Sequence, residues 1–121
     1  MADIIEIRWT AGSIDEARKV SRYLVQERLV ASAQIIPWVE KISMWNNQLE
    51  TDQESIICFI SFFENFEKIC EIILKNSKYQ VPEISYALLK GGNEAYFRWI
   101  SENVLTTEKK KDQASSETYA S

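Results

Sequence analysis

Residues 30–62 read VASAQIIPWVEKISMW-NN-QLETDQESIICFISF, and this stretch decides the fold. Asparagine tolerates positive φ, so Asn46-Asn47 suits both central positions of a two-residue hairpin turn. The run therefore predicts two antiparallel arms over 30–45 and 48–62. Setting Trp45 opposite Gln48 brings Lys41 opposite Asp52 and Ile42 opposite Thr51, all sensible cross-strand partners. Both arms exceed the usual strand of about 5–6 residues. A small domain cannot cover both faces of so long a ribbon. Its distal part, with Trp38, Ile42, Met44, Trp45 and Leu49, needs cover from another chain. The expectation is an oligomer whose interface is built by this hairpin.

Details within the arms refine the picture. Pro37 cannot donate a ladder hydrogen bond, which predicts a bulge, a bend or an unpaired edge. Ile56-Ile57-Cys58-Phe59-Ile60 is apolar at both alternating sets of positions, as in a strand covered on both faces. The run from Glu50 to Glu54 is polar and is expected near solvent or a subunit rim.

On the N-terminal side, Ile4-Ile5-Glu6-Ile7-Arg8-Trp9 reads as a short central strand, with Thr10-Ala11-Gly12 as the turn out of it. Ser13 and Glu16 have the spacing of a capping box. The helix they open carries Ile14, Ala17, Val20 and Leu24 on one side and Asp15, Arg18, Lys19, Arg22 and Gln26 on the other, and ends near Arg28-Leu29. On the C-terminal side, Ser61 and Glu64 suggest a second box and a helix over about 62–76, with Phe66, Ile69, Cys70 and Ile73 inward. Tyr79 to Leu89 reads as a strand, with Pro82 marking an edge, a start or a bulge. After Gly91-Gly92, Asn93 caps a helix over 94–104, with Tyr96, Phe97, Ile100 and Val104 inward. The order is strand, helix, strand, strand, helix, strand, helix. This is an α+β chain: a ferredoxin-like β-α-β-β-α-β sandwich with an extra C-terminal helix and a long hairpin between its second and third strands. The expected domain covers 1–105. Residues 106–121 form a polar tail, including Lys109-Lys110-Lys111, expected to be disordered and solubilising.

The chain has 121 residues, 14 basic and 18 acidic side chains and a net charge of −4. That balance opposes a nucleic-acid partner, which usually meets a basic face. No apolar run approaches the ~20 residues that span a bilayer, so no membrane partner is expected. No signal peptide is seen at the N-terminus. Two cysteines, Cys58 and Cys70, fall on apolar positions and read as buried thiols of a reducing compartment, so the expected location is the cytoplasm. There is no histidine. Neither a Ser-His-Asp nor a Cys-His arrangement is therefore possible. The only glycines are Gly12, Gly91 and Gly92, which offer no phosphate loop. The expectation is a protein that is not an enzyme.

Several short motifs in series carry a resemblance: Glu27-Arg28-Leu29, then Ile35-Ile36-Pro37, Trp45, Tyr79-x-Val81-Pro82-Glu83-Ile84, and Gly92-Asn93-x-x-Tyr96-x-x-Trp99. In this order and spacing the chain resembles the CutA-like divalent-cation tolerance proteins over about residues 4–104. The resemblance implies a ferredoxin-like homotrimer in which long hairpins pair between subunits. It also implies an association with copper tolerance and divalent metal binding, so that a divalent cation, copper, is the one cofactor it suggests. At the positions where the family commonly carries metal-binding cysteine and histidine, this chain has Ser32 and Ser77, and Ile60 stands where a lysine is usual. A hydroxyl is a poor ligand for copper or zinc beside thiolate and imidazole. No metal-ligating residue is therefore assigned, although Glu50, Asp52 and Glu83 are carboxylates that attract hard cations weakly.

The candidate ligand-binding residues are Ser32, Trp45, Ser77, Tyr79 and Glu83. Trp45 either stacks on a ligand in an intersubunit cleft or fills the trimer contact. Tyr79 and Glu83 either line a pocket or bond backbone at the start of their strand. The leading reading is a soluble trimeric binding or scaffold protein of the CutA type with a degraded metal site. The alternative is a trimeric sensor resembling the PII-like signalling proteins, which binds a small molecule between subunits. An acylphosphatase-like enzyme would need an arginine in Thr10-Ala11-Gly12-Ser13, and there is none. An RNA-recognition module shares the strand order, but the acidic balance opposes it.

Overall fold

The computed structural model describes residues 3–106. The elements run β1 (Ile4–Ala11), α1 (Ile14–Gln26), β2 (Ser32–Trp45), β3 (Gln48–Phe62), a 3-10 turn (Phe63–Asn65), α2 (Phe66–Asn76), β4 (Glu83–Leu88) and α3 (Glu94–Asn103). The four strands form one antiparallel sheet in the order β2-β3-β1-β4. This is the ferredoxin-like order expected from the sequence. The polar tail and its lysine run, residues 107–121, lie outside the described residues.

Strand alternation sorts the sheet into two faces. One face sends Ile5, Ile7 and Trp9 of β1 and Ile57 and Phe59 of β3 into a core closed by Ala17, Val20 and Leu24 of α1 and Ile69 and Ile73 of α2. Trp9 stacks on Phe59 with ring centroids 6.3 Å apart. Each fully buried large side chain here contributes about 1.5–3 kcal/mol. On the opposite face α3 covers only one end, where Ile100 and Val104 meet Ile4, Ala31 and Phe62. Ile56, Cys58 and Ile60 are therefore half-buried rather than covered. The two thiols are half-buried too, not fully buried as expected. Tyr96, expected inward, is exposed and stacks on Trp99 along the outside of α3.

The hairpin follows its sequence closely. Asn46 and Asn47 have φ of 51° and 64°, and the ladder pairs Trp45 with Gln48, Ile42 with Thr51 and Lys41 with Asp52. The register slips by one between Ile36 and Val39, which places a bulge at Pro37. The carbonyl of Pro37 accepts from the Ser55 hydroxyl at 2.9 Å.

Elsewhere, tertiary contacts overrule the local pattern. Thr10 and Ala11 are not a turn: they continue β1, opposite Ile56 and Ser55. Helix α1 stops at Gln26 because Arg28 turns to φ 57°. The Ser13 hydroxyl caps the Glu16 amide at 3.3 Å, but the Glu16 carboxylate accepts from the Lys78 amide at 2.6 Å, so the box is half made. The second predicted box does not form. Ser61 stays in β3 and donates to the Leu29 carbonyl, and α2 starts at Phe66 after the 3-10 turn. The last strand is Glu83–Leu88, not 79–89, since Pro82 has no amide to donate and Tyr79 turns away from β1.

Asn65 joins three segments. Its buried amide donates to the carbonyls of Leu29 and Leu105, at 3.2 and 2.9 Å, and to the Ser61 hydroxyl. Asn65→Ala removes these donors: the part-buried Leu105 carbonyl loses its side-chain partner, while the Leu29 carbonyl keeps the Ser61 hydroxyl. The expected cost is about 2–3 kcal/mol, read as a lower midpoint of urea unfolding at fixed protein concentration.

Candidate functional site

A chain of polar side chains crosses the sheet where the hairpin leaves it. Glu83 opens β4 directly opposite Thr10 of β1. One carboxylate oxygen, Oε2, accepts from the Thr10 hydroxyl at 2.9 Å, and the other, Oε1, accepts from the Lys41 ammonium at 2.9 Å. Lys41 also lies 3.8 Å from Oε1 of Glu54, whose Oε2 accepts from the Tyr79 hydroxyl at 3.0 Å. Thr10, Glu83, Lys41, Glu54 and Tyr79 thus link all four strands and the segment before β4.

Each member is held by its local structure. Lys41 reaches Glu54 diagonally, because Glu54 is paired with Val39 and Asp52 with Lys41 itself. Tyr79 lies against Gly12: a methyl group on Gly12 would stand 2.7 Å from the tyrosine ring, so only glycine leaves room. Ser77 accepts from the Tyr79 amide at 3.2 Å and fixes the approach of that residue. The Glu54 carboxylate is buried, and its Oε1 has no hydrogen-bond donor, leaving Lys41 as its nearest compensation.

The electrostatics follow the geometry. The hydrogen bond from Lys41, then that from Thr10, holds the Glu83 carboxyl below the usual carboxylate range. The hydrogen bond to Glu83 raises the Lys41 ammonium in turn, against the opposing effect of desolvation. Burial, then the bond to Glu54, pushes the Tyr79 phenol up. Burial also raises both thiols, which makes Cys58 and Cys70 sluggish nucleophiles. Beside the network, Arg8, Thr10, Glu83, Ile84 and Ser85 line a cavity of about 280 Å³.

The structure brings Tyr79 and Glu83 into one network, hydrogen-bonds Ser77 to Tyr79, and sets Ser32 and Trp45 apart. Tyr79 and Glu83 join the network through side chains rather than the backbone bonds weighed for them. Ser77 supports it at second hand. Ser32 begins β2 opposite Ile60, four residues along β3 from the Thr10 partner Ile56. Trp45 lies at the far tip, opposite Gln48 and eight residues from Ile56. At about 3.3 Å per residue that is roughly 26 Å. Glu54, expected from the sequence near solvent or a subunit rim, is buried. Thr10, Lys41, Glu54 and Arg8 were not candidates. Only the pairing of Lys41 with Asp52 hinted at one of them, since Lys41 and Glu83 are 42 positions apart.

The donors present in one chain do not fit a divalent ion. Among the described residues no three His, Cys, Asp or Glu side chains converge. The two carboxylates of the network, Glu54 and Glu83, already share the Lys41 ammonium. Glu50 and Asp52, the other carboxylates considered, sit opposite Ser43 and Lys41 on the ribbon.

The profile of the CutA1 divalent ion tolerance protein family matches residues 5–103. The chain belongs to the CutA1 family. The divalent-cation tolerance protein CutA of Thermus thermophilus is 33% identical over 94 residues, covering 78% of this chain and 91% of its own length. The chloroplastic protein CutA of Arabidopsis thaliana is 26% identical over 91 residues, or 75% of this chain. The chain spans half the length of that relative. Among solved structures, CutA1 from Shewanella sp. SIB1 superposes with a TM-score of 0.81 at 26% identity, covering 87% of this chain and 98% of that one. CutA1 from Oryza sativa gives the same TM-score at 23% identity over 86% and 95% of the two chains, a likeness of fold. The CutA1 match spans every element from β1 to α3, so the polar network lies inside the shared domain. No helix of the described residues is long and apolar enough to cross a membrane.

The network ties the stability of this CutA1 chain to pH. Glu83 titrates lower folded than unfolded, so its contribution is present above the ordinary carboxylate value and is lost as pH falls through the folded one. Lys41 titrates higher folded, so its contribution is present below the ordinary ammonium value and is lost as pH rises through the folded one. Glu83→Gln is therefore expected to lower the denaturation midpoint between about pH 5 and 10, with the gap from wild type closing below about pH 4. Urea titrations across that range check it; a gap that stays constant at low pH would contradict it.

Proposed function

We propose that this chain works as a homotrimeric, non-catalytic binding or scaffold protein of the divalent-cation tolerance type, with the hairpin as its assembly device. The observation that carries the proposal is the state of the ribbon. Strand β1 ends opposite Ser55, so Val39 to Trp45 and Gln48 to Glu54 form a two-stranded extension with no third strand among the described residues. It runs for about 23 Å at about 3.3 Å per residue. An isolated two-stranded ribbon is marginal in water. Leu49 is 71% exposed and Trp45 69%, and Trp38, Ile42 and Met44 are exposed as well.

The ladder also sorts these side chains. Met44 and Leu49 are paired and share a face with Ile42, whereas Trp45 lies on the other face with Lys41, Asp52, Ser43 and Glu50. A two-fold contact would press one face against its own copy. One face is apolar and the other sets a single tryptophan among polar and charged side chains; unlike faces favour a heterologous contact that closes into a ring, and three copies form a small closed ring. The family profile and the Thermus thermophilus relative both carry the name of divalent-cation tolerance. Ser32 and Ser77 supply hydroxyls where thiolate or imidazole would serve a soft metal, which supports a role that has drifted away from copper. Free thiols on Cys58 and Cys70 suit a reducing compartment such as the cytoplasm. The folded unit in this reading is residues 1–105.

The small polar cavity beside Glu83 supports a second role for the same assembly, as a PII-like sensor. It opens on the sheet face that α3 leaves uncovered, where a neighbouring subunit would roof it. Ligands held there would raise the melting temperature of the trimer.

Sedimentation equilibrium of the native protein is expected to give three chains per particle at micromolar concentration. Ile42→Glu with Leu49→Glu should give a folded monomer, and a wild-type monomer would remove the reading. Calorimetry with copper and with zinc tests the metal role separately. The expected result is no stoichiometric sub-micromolar binding. Such binding, lost on changing Glu50, Asp52 or Glu83, would restore a carboxylate metal site.

A further inference from the structure

The helix layer carries a second surface that assembly through the ribbon does not use. A groove of about 430 Å³ runs between α1 and α2, lined by Lys19, Val20, Tyr23, Lys68, Ile72, Lys75 and Asn76. Three of these are lysines and none is acidic, in a chain of net charge −4. Lys68 has one weak ion pair, 3.7 Å from Glu71 on the same helix, with both side chains half-exposed. Among the described residues neither Lys19 nor Lys75 makes an ion pair. Between the lysines lie the exposed ring of Tyr23 and the half-buried Ile72, over the buried Val20.

The groove does not stop at Lys19. A second one, of about 540 Å³, shares Lys19 and Tyr23 and adds Arg18, Arg22, Gln26 and Asp15. Together they follow α1, whose 13 residues span about 20 Å at about 1.5 Å per residue. A long open trough does not enclose a small ligand, which is typically 70–90% buried in its pocket, to order of magnitude. It suits an elongated occupant with negative charge and apolar side chains. A single-stranded nucleic acid would need stacked aromatic platforms, and here the floor is largely aliphatic with one tyrosine.

We propose that the α1–α2 groove binds an acidic amphipathic peptide segment of a partner protein. Apolar anchors of the segment sit over Tyr23 and Ile72. Its carboxylates face Lys19, Lys68 and Lys75, and those further along face Arg18 and Arg22. The pattern is the groove mode of peptide recognition, with long-range charge steering added. It does not depend on the ribbon or on the trimer, because both helices pack on the sheet face away from the Glu83 network.

The test uses the full chain, isotope-labelled for NMR, and a short fluorescent peptide of glutamate and leucine at helical spacing. Saturable binding at low salt is expected, with amide shifts confined to α1 and α2 and affinity falling as salt screens the lysines. Lys19→Glu with Lys75→Glu should weaken it about tenfold or more. Lys90→Glu, on an exposed residue after β4, should leave it unchanged. All three lysines are exposed, so the variants keep the fold, and an unchanged spectrum elsewhere verifies this. Several results would each overturn the proposal: no saturable binding, equal binding when serine replaces the leucines, insensitivity to the double variant, or tighter binding of a polyuridylate oligonucleotide.

Discussion

The structure depends on a mismatch of strand lengths. Strands β2 and β3 have 14 and 15 residues, whereas β1 has 8 and β4 has 6. The short strands end where the long ones are still rising, so half of the hairpin leaves the sheet with, among the described residues, no third strand and no helix against it. Backbone pairing within the ribbon satisfies its own amides, but burial of Ile42, Met44 and Leu49 is left undone. Two strands alone gain too little from cross-strand contacts to hold such side chains in water. The ribbon is therefore an unfinished half of a core, and in the proposed trimer assembly is what completes it.

The polar network stands where that ribbon departs. Its members come from every strand, and the Lys41 ammonium ties the root of the ribbon to β4 through Glu83. A flexible root would let the ribbon swing, and each subunit would then lose orientational entropy on assembly. The fixed root moves that cost into folding. The price is a buried Glu54 carboxylate with one oxygen lacking a donor, compensated by Lys41 and by the Tyr79 hydroxyl. Buried ionic groups of this kind specify geometry more than they add stability.

What the sequence disclosed was local. The Asn46-Asn47 turn, the register it imposes and the bulge at Pro37 all follow from backbone restrictions on two or three residues. Even the split between Trp45 and the Ile42, Met44 and Leu49 set was present in the alternation, once the turn length was fixed. The errors arose where a distant group outbid a near one. Ser61 had a capping-box spacing to Glu64 but found the Leu29 carbonyl, 32 positions away. Tyr79 had strand character but found Glu54, 25 positions away. Glu54 is expected near solvent or a subunit rim because its neighbours are polar, yet it is buried with Tyr79 and Lys41 against its carboxylate. The motif series located the domain from β1 to α3, yet a motif of consecutive residues does not state which side chains meet across a sheet.

The distribution of charge completes the picture. A net charge of −4 favours solubility and opposes promiscuous contact with nucleic acid. Against that background the cations of α1 and α2 are concentrated on one side of the sheet, while Lys41 and Arg8 serve the other. The two sides therefore present different chemistry: an apolar ribbon with a locked polar root, and a basic trough with an aliphatic floor. A fold with one sheet face uncovered can build an oligomer there without spending its helix layer. In a closed ring that uses the ribbon and the uncovered face, each α1–α2 surface is repeated once per subunit. A weak interaction at each copy would then act with the avidity of the whole ring.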